Sequence, residues 1–61
     1  MNKLYQHPDG AGEISLDADN CRLFVGNESE LLSAFVLIGP AGVRALGLAL
    51  IAAAAEMEVR K

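Results

Sequence analysis

Residues 39–58, GPAGVRALGLALIAAAAEME, constrain this chain more than any other stretch. Pro40 suits the first position of a helix, where its missing N–H has no intrahelical partner to lose. Ala, Leu, Arg and Glu dominate from there to Glu58, and all are strong helix formers. Arg60 and Lys61 follow at the negative end of the helix dipole. The pattern predicts a helix over 40–58. One of its faces is Val43, Leu46, Leu50, Ala54 and Met57; another is Ala41, Ala45, Leu48, Ala52 and Ala55, with Gly47 and Ile51 between them. A helix apolar nearly all round must be covered on more than one side. Its alanines and Gly47 make the second face smooth, so Ala45, Gly47, Leu48, Ile51, Ala52 and Ala55 are the expected contact with a twin helix, while a sheet covers the first face.

Size explains why a twin is expected. A chain of 61 residues buries only about 60% of the surface its unfolded form exposes, and small domains make up the shortfall with disulfides, a metal or another subunit. Cys21 is the one cysteine, so no disulfide forms within the chain. With no signal peptide visible, a reduced thiol in the cytoplasm is expected. His7 and Cys21 supply two of the roughly four ligands a structural zinc needs. Oligomerisation remains, most simply a homodimer.

The residues before the helix read as strands. Ile14 and Leu16 alternate with Glu13 and Ser15, the period of a half-buried strand. Asp17-Ala18-Asp19-Asn20 is turn-forming, and Cys21 to Val25 returns with Leu23 and Val25 on one side and Phe24 on the other. Phe35-Val36-Leu37-Ile38 stops at Gly39-Pro40 as a buried strand does, which predicts strand over 34–38. Asn27 and Glu30 fit a capping box, which predicts one helical turn over 28–32. Residues 1–12 read as an arm and a turn, with His7-Pro8-Asp9-Gly10 as the turn. The expected fold is therefore small α+β: one domain, with two or three antiparallel strands within 13–38 packed on the C-terminal helix.

Charge narrows the partners. The net charge is −3, and lysine and arginine are few and scattered. A duplex-binding protein needs a cationic stripe to displace counterions, and none is present. Ribbon–helix–helix repressors also run from strand to helix, but their strands display cations and amides to the major groove, and only Arg22 with Asn20 is available here. A single membrane span over 31–55 is long enough, yet a central Arg44 costs about 2.5–3.5 kcal/mol, and Pro40, Ser33 and the glycines cancel most of the remaining gain. Nucleic acid and membrane are both disfavoured.

Chemistry is sparse. His7 beside Asp9 has the types of a base and its orienter, but no nucleophile is placed near them. Cys21 next to Arg22 reads as a small residue beside a strand. Asp17, Asp19 and Asn20 begin like a calcium loop, without the glycine and terminal glutamate that complete one. Gly39-Pro40-Ala41-Gly42 opens a helix, whose N-terminus can hold an anion. Arg44 one turn on, with Arg22 and Gly42, is the candidate set for a small anionic ligand. No catalytic residue, cofactor or metal site can be assembled, so no enzymatic activity is expected.

The ending FVLIGPAGVRALGLALIAAAAEME resembles the strand–Pro–helix ending of small accessory proteins of phages and other mobile elements. The resemblance implies a compact homo-oligomer that inhibits or redirects a host protein, including one of host defence, by surface binding, or that sequesters a nucleotide-like signal between subunits. Asp17, Asp19, Glu28 and Glu30 are the expected face toward a basic host partner.

Overall fold

A computed structural model describes residues 1–60. Four strands form one antiparallel sheet in chain order: β1 (Asn2–Gln6), β2 (Glu13–Asp17), β3 (Arg22–Asn27) and β4 (Leu32–Leu37). A single 3₁₀ turn, Glu28–Glu30, joins β3 to β4, and α1 (Pro40–Val59) ends the chain. Lys61, expected beside Arg60 at the helix end, lies outside the described residues.

The N-terminal segment corrects the expectation of a two- or three-stranded sheet. It is a fourth strand rather than an arm, paired to β2 through Asn2↔Leu16, Lys3↔Ser15, Tyr5↔Ile14 and Gln6↔Glu13. The register slips between Lys3 and Tyr5, so Leu4 is a bulge residue. That slip breaks the alternation by which a strand is recognised in sequence. Lys3 Nζ lies 3.2 Å from the Glu13 carboxylate, a half-exposed ion pair across the two strands. The turn that follows is as the sequence predicts: the His7 N–H donates to the Gly12 carbonyl, and the Gly10 N–H to that of His7, both at 2.8 Å. Gly10 sits at φ 78°, where a residue with a Cβ is strained.

The β2–β3 hairpin forms with Leu16 opposite Leu23 and Ile14 opposite Val25, and β4 adds Val36 beside Leu23 and Ala34 beside Val25. One sheet face is therefore apolar. The other carries Lys3, Glu13, Ser15 and Arg22 together with Phe24 and Phe35, whose rings meet at a tilt of 38° with centroids 5.4 Å apart. β4 begins at Leu32, two residues before the predicted start, and the Ile38 N–H closes its end by donating to the Cys21 carbonyl at 2.8 Å.

α1 runs one residue past the predicted Glu58. It meets the sheet through its first two turns, where Val43, Leu46 and Gly47 are half-buried; every residue from Leu48 to Arg60 is exposed. Among the described residues none is buried, and the half-buried Ile14, Leu16 and Leu23 make only an open core. The accessible surface is 5031 Å², against about 3,800 Å² for a compact monomer of this mass. The radius of gyration is 12.8 Å, against about 10.5 Å for a compact chain of this length. One chain leaves its apolar surfaces uncovered.

Candidate functional site

The two ends of the sheet carry different chemistry. At the end where α1 starts, the Asp17 carboxylate accepts from the Asn20 side-chain amide at 2.8 Å and from the Asn20 backbone N–H at 3.3 Å. These bonds hold the Asp17 carboxyl below its usual range, the side-chain amide contributing most. Cys21 follows in the left-handed region at φ 54°, exposed. A groove of about 370 Å³ runs from Leu16, Ala18 and Cys21 to Ile38, Val43 and Arg44.

Of the three residues expected to hold an anion, only Arg44 lines that groove. The Arg22 guanidinium lies 5.1 Å from the centre of the Phe35 ring, on the sheet face opposite Leu16. Gly42 serves packing: a Cβ there would stand 2.8 Å from Ile38 Cγ1, so the absent side chain lets the helix start close to the end of β4.

The expected acidic face divides. Asp17 and Asp19 sit at the helix end, whereas Glu28 and Glu30 sit at the far end of β3, a strand of six residues and so about 20 Å away. The helix residues expected to meet a twin stay together. Ala45, Leu48, Ile51, Ala52 and Ala55 are exposed along α1, and Gly47 is half-buried.

The far end holds the most unusual residue. Asn27 Oδ1 accepts from the Glu30 N–H at 3.3 Å and from the Ser29 hydroxyl at 2.9 Å, which is the predicted cap formed on a shorter turn. The Leu31 N–H donates to the Glu28 carbonyl at 3.1 Å and closes the turn with Leu31 at φ 54°, ψ 36°. The left-handed region costs a residue with a Cβ about 1–2 kcal/mol. Leu31 is also 92% exposed, and Leu32 beside it 65%. A shallow groove of about 450 Å³ joins them to the carboxylates of Glu13 and Glu28. The turn of His7–Gly12 stands at the same end, where the His7 imidazole is 2.7 Å from the Asp9 carboxylate. The Ala11 N–H, at 2.8 Å, and then His7 hold Asp9 below its usual range.

Sequence reading missed Leu31 as a functional candidate. In Glu30-Leu31-Leu32 a leucine reads as core, and only the backbone angle and the exposure reveal otherwise. Among the described residues, no group of three or more His, Cys, Asp or Glu side chains could hold a metal ion. No helix among them is long and apolar enough to cross a membrane. Compared with known protein families, curated proteins and solved structures, the chain matches none.

Proposed function

We propose that this chain is a noncatalytic, homo-oligomeric binding protein that grips a basic surface of a host protein with the tip formed by Glu28, Glu30, Leu31 and Leu32. The observation that carries the reading is Leu31: a large apolar side chain held out in water, on a backbone conformation that opposes it. Strain of that kind recurs at sites of function, where it fixes a side chain in its working position. An exposed leucine pair flanked by carboxylates suits a partner surface that offers an apolar pocket rimmed by lysine or arginine. The role is the accessory one that the strand–Pro–helix ending suggests, inhibiting or redirecting the host protein it binds.

The test compares what wild type and three variants capture from host extract. Glu28→Lys with Glu30→Lys, and separately Leu31→Gly, are expected to lose the captured partner. Asp17→Lys with Asp19→Lys, at the opposite end, is expected to keep it. Capture of the same protein by wild type and both tip variants would sink the reading.

A second reading draws on the groove at the start of α1, in which a small anionic ligand meets the Arg44 guanidinium. Gently purified protein would then carry a bound mass in native mass spectrometry, and Arg44→Glu would lose it. A wild-type protein without such a mass removes this reading.

A further inference from the structure

We propose that a second copy of this chain pairs antiparallel with the open edge of β4, joining two sheets into one of eight strands, and that each α1 passes onto its partner's apolar face. The proposal rests on the homo-oligomeric reading above and assigns the interface, which that reading leaves open.

The two edges of the sheet are unlike. An edge strand presents unpaired N–H and C=O groups, and natural proteins protect such edges with bulges, lysines, prolines or a covering element. β1 is protected by its bulge at Leu4 and by Lys3. β4 has none of these devices: Leu32 to Leu37 contains no charge and no proline, keeps an unbroken register with β3, and is exposed throughout. Like charges placed opposite one another destabilise a strand pair, and β4 has no charge to set against its own copy.

The helix points the same way. Twenty residues of α1 span about 30 Å, whereas four strands of five or six residues cover about 14 by 20 Å. The molecule measures 36 × 31 × 15 Å, so α1 runs well outside the footprint of its own sheet. What it leaves bare is apolar on both sides: Val25 and Val36 (56% exposed) on the sheet, Leu48 and Ile51 (69% exposed) on the helix. A two-fold axis at β4 sets the partner's apolar face beside the chain's own, where a helix that leaves its sheet on the β4 side meets it. Helix pairing alone would leave both sheet faces and both β4 edges open. A strand from a different protein would cover β4 and leave α1 bare.

The area fits a permanent dimer. The surplus over a compact monomer is about 1,200 Å² per chain, so pairing that covered it would bury about 2,400 Å² in all, above the roughly 1,600 Å² of a standard interface and within the range of obligate dimers.

Native mass spectrometry and single-cysteine cross-linking test this. Wild type is expected at twice the 6.4 kDa chain mass. With Cys21→Ser as background, Ala34→Cys at the middle of β4 is expected to cross-link to its own copy with a short bifunctional thiol reagent, and Lys3→Cys on β1 is not. Co-expressed chains bearing Val25→Cys and Ile51→Cys, one cysteine in each, are expected to cross-link sheet to helix between chains. A dimer that cross-links at Ile51→Cys but not at Ala34→Cys overturns this interface and leaves the homo-oligomeric reading standing. A wild-type monomer overturns both.

Discussion

Gly42 and Leu31 show opposite relations between a residue and its backbone. A helical glycine costs about 1 kcal/mol relative to alanine. At Gly42 that cost is offset, because a Cβ would meet Ile38 Cγ1 at 2.8 Å, near the branch of the side chain rather than at its mobile tip. Overpacking of this kind costs about 1–3 kcal/mol, so Gly42→Ala is expected to lose about 1 kcal/mol net. Gly47 has nothing within 4 Å of its notional Cβ in the chain, so Gly47→Ala is expected to gain up to about 1 kcal/mol. Thermal unfolding of the two variants against wild type reads both signs. Leu31→Gly should also stabilise, by about 0.5–1 kcal/mol, since relief of left-handed strain exceeds the chain entropy that glycine adds. Greater stability with lost partner capture would identify Leu31 as held for binding. Lower stability would mean that its side chain supports the fold.

Turns and strands differ in how far they can be read from sequence. The β2–β3 turn is legible because Asp17 and Asn20 carry its hydrogen bonds in their own side chains, and α1 is legible because Pro40 and a run of helix formers need no partner to declare themselves. β1 is hidden by the bulge at Leu4, and it joins the sheet through its backbone pairing with β2, a long-range contact with no local signature. The division of the acidic residues between two ends follows from strand direction, which composition does not contain. The legible turns give a pH prediction. The Asp9 and Asp17 carboxyls are held below the ordinary 3.8 in the folded chain, by Ala11 and Asn20 first of all. Their ionised forms therefore support the turns above that value, and the support is lost as pH falls through the lower folded values. Carbon-13 titration of the side chains should give both midpoints below 3.8, and Asn20→Ala should raise that of Asp17 while leaving Asp9 unmoved.

At the scale of the whole molecule, the missing core decides how unfolding must behave. A chain with no buried residue among those described, and with a helix exposed from Leu48 onward, has little apolar burial to set against its conformational entropy. If the chain pairs as proposed, its stability comes with association, because a folded dimer in equilibrium with unfolded chains is stabilised by mass action. The unfolding midpoint is therefore expected to fall steadily as the protein is diluted over a hundredfold range, with the sheet and helix signals in circular dichroism lost together. Charge adds a second signature. Each chain carries −3, so association brings two like charges of that size together, and salt should raise the midpoint by screening them. A midpoint independent of concentration would mean that one chain closes its core alone, in a shape tighter than its 12.8 Å radius of gyration. A concentration-dependent midpoint that salt lowers would place attractive ion pairs across the interface, which a charge-free β4 edge does not supply.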